Sequence, residues 1–169
     1  MIHVCSLSKV EETVARTGAE RLLSLLAAGT DVVRPASITR ENHLHLVMHD
    51  IAVAQDGMTM PGEEHVRNLL DFARRWDLMK PMVVHCYAGI SRSTASAYII
   101  TAALAPKRDE MELARTLRAL SPSATPNPRL IAVADTLLGR EGRMIEAIKS
   151  IGRGADAFEG TPFELKIDS

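Results

Sequence analysis

Cysteine is scarce in this chain: Cys5 and Cys86 are the only two among 169 residues. Neither a disulfide framework nor a four-thiolate zinc site can be built from them, and a reducing compartment is the natural setting. An excess of one charge is also missing. Twenty basic residues face twenty-one acidic ones, for a formal net charge of -1, which leaves no broad basic surface for nucleic acid or anionic lipid. The longest apolar run, Ala95 to Ala105, is about half of what a bilayer crossing requires. Lys9, Glu11, Glu12 and Arg16 occupy the region where a secretory signal would be apolar, so a cytoplasmic location is expected, with no nucleic-acid or membrane partner. Repeats, low-complexity tracts and clear linkers are absent as well, and the chain reads as one unit.

What is present suits a single globular domain over residues 1–169. Hydrophobic residues make up 46% and charged residues 24%, close to the soluble average. Arginine outnumbers lysine by 15 to 5, a bias common in GC-rich bacterial genomes. Ile2 to Cys5 opens as a short strand. Ser8 to Glu11 matches a capping box, and Val10, Val14, Leu22, Leu25 and Leu26 supply helical spacing up to Gly29, interrupted near Gly18. Asp31 to Val33 and Asn42 to Met48 are two further strand candidates. Ile51 to Gly62, rich in turn signals, is expected to be a surface loop.

Helices are expected over Glu63 to Trp76, Arg92 to Ala105, Asp109 to Leu120, Pro128 to Leu138 and Arg143 to Ile151. Between the first two lies Pro81 to His85, an apolar run suited to a strand buried on both faces. Alternating strands and helices imply an α/β fold with a mostly parallel sheet of about four to five strands, flanked by helices. Sites in such folds lie at the carboxyl ends of strands. The tail from about residue 152 carries no derivable role.

One segment concentrates chemistry. In His85-Cys86-Tyr87-Ala88-Gly89-Ile90-Ser91-Arg92-Ser93 a cysteine ends the buried strand and an arginine follows six positions later, where a helix begins. A loop of that length can curl so that the backbone N-H groups of Tyr87 to Ser91 point inward, and the helix N-terminus adds positive potential. Gly89 permits the tight curl. The result is a cradle for one phosphate-sized anion, and the same field stabilises a thiolate, making Cys86 a candidate nucleophile. Arg92 presents a planar fork matched to two phosphate oxygens.

The His-Cys, five residues, Arg, Ser pattern resembles the signature loop of the cysteine-dependent protein tyrosine and dual-specificity phosphatases, and the whole chain looks most like small bacterial members of that superfamily. The resemblance implies that Cys86 attacks phosphorus to form a phosphocysteine, that Arg92 holds the equatorial oxygens and that the Ser93 hydroxyl hydrogen-bonds the thiolate. It assigns a supporting role to His85 and to Asn127, which follows Pro126 downstream. It also implies a general acid on a loop upstream of the signature, where Asp50 and Asp56 compete. Asp50 is favoured because it ends the third strand candidate at the same sheet edge as Cys86; Asp56 is the alternative. The family uses no metal or other cofactor.

Simpler roles compete with these. A cysteine after a buried strand is usually a small core residue, and either aspartate alone would usually serve solubility. Asp109 reads as a helix-start acid and Asp135 as part of a solvated face. His43, His45 and His49 share strand parity, but three imidazoles without a fourth ligand are more often surface residues than a metal site. Cys5 is most simply a buried strand residue, with a redox partnership with Cys86 left open. The expected activity is hydrolysis of phosphomonoesters on phosphotyrosine or mixed phosphoproteins, since no basic side chain lies within Tyr87 to Ser91 to favour polyphosphorylated inositols. The alternatives are a phosphate-reading binding module and a rhodanese-like sulfurtransferase.

Overall fold

The computed structural model describes residues 1–168. Five strands form one sheet: β1 (Ile2–Ser6), β2 (Arg21–Leu26), β3 (His43–Val47), β4 (Met82–Cys86) and β5 (Phe163–Leu165). Their spatial order is β3-β2-β4-β1-β5, parallel throughout except for the antiparallel pairing of β5 on β1. The helices are α1 (Val10–Thr17), α2 (Glu63–Arg74), α3 (Arg92–Leu104), α4 (Glu110–Leu120), α5 (Pro128–Leu137) and α6 (Arg143–Ile151). Two clusters of unequal size cover the sheet. α1 and Ile38 cover the face carrying Cys5, Leu22 and Val83, while α2 to α6 pack over the face carrying Val4, Val84 and Cys86.

The central strands β1, β2 and β4 are buried along nearly their whole length, which explains their unbroken apolar runs: a parallel strand between two helical layers has no solvent side. Because β1 to β4 run the same way, their carboxyl ends share one edge. The segment between β4 and α3 leaves from that edge.

Residues 21–26 correct the helical reading of Leu22, Leu25 and Leu26. Gly18, in the left-handed conformation at φ 66°, stops α1, and the chain re-enters the sheet as β2 between β3 and β4. The leucines of this six-residue stretch fit both periods, and burial between two neighbouring strands decides for the strand. Asp31 to Val33 is not a strand; Val33 is 86% exposed. The Ser8 capping box does not form either, since Lys9 is the N-cap of α1 and the Ser8 hydroxyl instead donates to Glu159.

Asp135 is not on a solvated face. It is buried, and its carboxylate accepts from the backbone N-H groups of Gly142 and Met144, capping the start of α6. Asp109 does begin a helix, its side chain accepting from Glu112 N. β5 was not anticipated; it ties residues 163–165 onto the free edge of β1.

Candidate active site

The segment Cys86 to Arg92 is a loop whose carbonyls are tied outward. The Cys86 carbonyl accepts from His85 Nδ1 at 3.1 Å, that of Tyr87 from Leu7 N at 3.1 Å, and that of Ala88 from Gly160 N at 2.8 Å. The Ile90 carbonyl accepts from Thr125 N at 2.9 Å and from Thr94 Oγ1 at 2.6 Å, and that of Ser91 from Asn127 N at 3.2 Å. All peptide bonds here are trans, so each outward carbonyl is paired with an N-H on the opposite side of the same peptide plane. The amides of Tyr87, Ala88, Gly89, Ser91 and Arg92 therefore turn toward the loop interior. Gly89, at φ 73°, is required twice over: a Cβ there would also lie 2.9 Å from the Cys5 and Ser6 backbone.

The side chains at the two ends of the loop are buried. Cys86 is buried, with its Sγ 3.2 Å from Ser93 Oγ in the first turn of α3. Arg92 is also buried and is anchored through Nη1 to the Met48 carbonyl at 2.9 Å, while its Nε is buried with no hydrogen-bond partner. An unpartnered guanidinium N-H in a buried position is costly unless something polar completes it. The N-terminus of α3 adds its dipole at the same place. Cys86, Ser93, Arg92 and the first turn of α3 thus lie together where β4 gives way to α3.

Of the two candidate acids, Asp50 contacts the loop and Asp56 lies away from it. Asp50 Oδ1 accepts from Ser91 Oγ at 2.7 Å and from Asn127 Nδ2 at 2.9 Å. Asp56 sits exposed in the Gln55–Met58 turn at the loop tip. The loop base is closed by Thr59 N, which donates to His49 Nδ1 at 2.9 Å. Asn127 joins the parts: Nδ2 donates to Asp50 and to the Ile51 carbonyl, while Oδ1 caps α5 by accepting from Arg129 N and Leu130 N. Arg118 secures the same region, reaching the carbonyls of Ser121, Pro122 and Ala124 with Nη1 and those of Ile151 and Gly152 with Nη2.

His85 is buried and does not face the ring interior. Burial above all, and the positive neighbours His43, His45 and Arg92, lower its pKa to about 4 against the pull of its hydrogen bond to Cys86 O, so the imidazole is neutral at physiological pH. Cys5 lies on the opposite sheet face from Cys86, and burial pushes its thiol up to about 11. That placement packs Cys5 against Val10, Val14 and Val83, away from the face that carries Cys86. His43, His45 and His49 do not converge, and among the described residues no cluster of three metal-ligating side chains occurs.

The tail, unassigned from sequence, borders the site. Gly154 N donates to Thr125 Oγ1 on one side of the loop, and Gly160 N donates to Ala88 O on the other. Between them Glu159 accepts from the Ser6 and Ser8 hydroxyls, which hold its carboxyl below the usual range. A cavity of about 250 Å³ opens there, lined by Leu7, Ser8, Tyr87, Ala88, Phe158 and Glu159. One other contributor also escaped the sequence: the Met48 carbonyl, because a backbone atom has no sequence signature.

Solved structures with the same fold include DUSP15, at 17% identity and a TM-score of 0.62 over 89% of each chain. The PTP-2 phosphatase of Cydia pomonella matches at 17% identity and 0.61, over 80% of this chain and 84% of that one. The human tyrosine phosphatase-like serine/threonine/tyrosine-interacting protein matches at 15% identity and 0.63, over 83% and 92%. No family model and no curated protein matches the sequence. Element order, sheet topology and these neighbours agree: the chain has the fold of the dual-specificity and protein tyrosine phosphatases.

Proposed function

We propose that the chain, as one domain over 1–169, hydrolyses phosphomonoesters through a phosphocysteine intermediate. The observation that carries this reading is a buried cysteine against the Ser93 hydroxyl at the start of a loop of inward amides that ends in the buried Arg92, whose Nε has no partner. In the first step the Cys86 thiolate attacks phosphorus and the ester oxygen leaves with a proton from Asp50. The inward amides of Tyr87, Ala88, Gly89, Ser91 and Arg92 and the Arg92 fork hold the equatorial oxygens as charge redistributes. In the second step Asp50 takes a proton from water, which attacks phosphorus. The sulfur departs as thiolate beside the Ser93 hydroxyl, and inorganic phosphate is released.

Phosphotyrosine or mixed phosphoprotein substrates fit best. Within the loop the only cation is Arg92, which leaves no additional charge for polyphosphorylated headgroups. The exposed Tyr87, next to Cys86 in sequence, lines a cavity with Leu7 and Phe158, which supports an aryl ester. Hydrolysis of p-nitrophenyl phosphate in EDTA tests the reading. Wild type should turn over, Cys86→Ser should not, and Asp50→Ala should lose about 10²- to 10³-fold in kcat together with the basic limb of the pH profile. Asp56→Ala should behave as wild type. Absence of wild-type turnover with vanadate still bound would overturn hydrolysis in favour of a phosphate-binding module, and thiosulfate-cyanide turnover would indicate sulfur transfer.

A further inference from the structure

The sheet face opposite the Cys86 side chain is thinly covered, and a chain of polar groups crosses it. Ser24 on β2 is level with His85 on β4 and with His45 on β3, and His43 lies two residues earlier on the same face of β3. His85 Nε2 is 2.7 Å from Ser24 Oγ, and Ser24 Oγ is 2.9 Å from His43 Nε2. His43 stacks on His45 with ring centroids 6.2 Å apart and planes within 5°.

The protons in this chain have one consistent arrangement. The Cys86 carbonyl can only accept, so His85 Nδ1 carries hydrogen. A neutral imidazole protonated at Nδ1 has Nε2 as an acceptor, so the Ser24 hydroxyl donates to it. Ser24 has then spent its one hydrogen and must accept from His43 Nε2-H. The direction runs from the half-buried edge of the sheet to the catalytic loop: His43 N-H to Ser24, Ser24 O-H to His85, His85 N-H to the Cys86 carbonyl.

The geometry assigns Ser24 and His43 as positioning residues for the signature loop, holding His85 in the tautomer that donates to the Cys86 carbonyl. The inference rests on the phosphatase reading for its consequence in turnover. That donation fixes the peptide plane between Cys86 and Tyr87 and with it the first inward amide of the cradle, beside the sulfur itself. Without the Ser24 hydroxyl, His85 Nε2 has no donor, and the imidazole can shift its proton to Nε2 and release the carbonyl. His43 donates through Nε2 whether neutral or protonated, so the relay survives its titration. The charged and titratable groups facing it are His45 and Arg34, and those facing His85 are Arg92, His43 and His45.

Histidine ¹⁵N NMR on the unliganded wild-type protein should find His85 protonated at Nδ1 and His43 at Nε2; the reverse tautomer at His85 overturns the assignment. Alkylation of Cys86 by iodoacetate between pH 5 and 8 then reads the loop without substrate. Ser24→Ala and His43→Phe should each slow alkylation near neutral pH by about tenfold, the equivalent of one hydrogen bond, and move its pH profile upward. His43→Gln, which keeps an N-H within reach of Ser24, should restore most of the rate. Unchanged profiles in both Ser24→Ala and His43→Phe, with each variant folded by circular dichroism, would reduce the chain to packing. Tautomer and alkylation are independent of hydrolysis, so a wild type that cleaves no phosphate ester counts against the proposed activity and leaves the relay standing or falling by its own readouts.

Discussion

His85 couples the site to the stability of the whole protein. Its imidazole is lowered to about 4 in the folded state, chiefly by burial, whereas an unfolded histidine titrates near 6.5. Between those values the unfolded chain binds a proton that the folded one refuses. The group's contribution is thus fully present above pH 6.5 and is lost as pH falls through about 4. A shift of that size corresponds to roughly 3 kcal/mol. Urea denaturation at pH 7.5 and pH 4.5 should show wild type losing about that much more stability than His85→Gln, whose amide does not titrate in this range. Equal losses in the two proteins would mean that His85 already carries its proton when folded. The same burial that makes the residue acid-sensitive keeps it neutral, with one nitrogen free to accept from Ser24.

At the scale of elements, the tail acts as a strap over the signature loop. Gly160 has little room: a Cβ there would lie 2.7 Å from the Gly89 carbonyl oxygen and 3.4 Å from that of Ala88. Gly160→Ala must push the strap off the loop or the loop inward. A displacement near 1 Å in a loop that positions phosphate is expected to cost about tenfold to a hundredfold in kcat/KM, with a stability loss of only ~1–3 kcal/mol. Steady-state kinetics alongside thermal unfolding would separate the two, and unaltered kcat/KM would show that the strap does not brace the loop. Nothing in the sequence of the tail announced this, because a close backbone approach leaves only a glycine as its mark. The loop itself was legible because Cys86, Gly89 and Arg92 must stand at fixed offsets for an anion cradle to close. Asp50 was singled out by its place just past β3, and the structure puts its carboxylate against Ser91 and Asn127. β2 was not legible: Leu22, Leu25 and Leu26 satisfy two periodicities, and only the neighbours β3 and β4 choose between them. Asp135 was misread because a carboxylate that caps a later helix looks, in sequence, like any polar residue on a helical face.

For the molecule as a whole, α3 carries the signature loop at one end and a buried ion-pair network at the other. α3 starts at Arg92 in the signature loop and runs back along the sheet, so Ala102, ten residues further on, lies about 15 Å from the site. There Arg140 Nη2 donates to the Ala102 carbonyl at 2.7 Å, and Arg140 Nη1 donates to Glu110 Oε1 at 2.7 Å, with Arg143 Nε joining at 3.1 Å. Burial alone would raise the Glu110 carboxyl, and the hydrogen bonds from Arg140 and Arg143 outweigh it and hold it below the usual range. This network fastens α4 and α6 to the far end of α3, with Asp135 capping the start of α6 beside it. Glu110→Ala leaves Arg140, only 6% exposed, with a buried charge and no carboxylate, a loss expected to cost roughly 3–5 kcal/mol. None of these groups touches the signature loop, so kcat/KM should stay at the wild-type value at temperatures where the variant is folded. Chemical denaturation and p-nitrophenyl phosphate kinetics on the same preparations give both numbers. A fall in kcat/KM matching the fall in stability would mean that α3 transmits the far end to Arg92, and that the two ends of the sheet act as one unit.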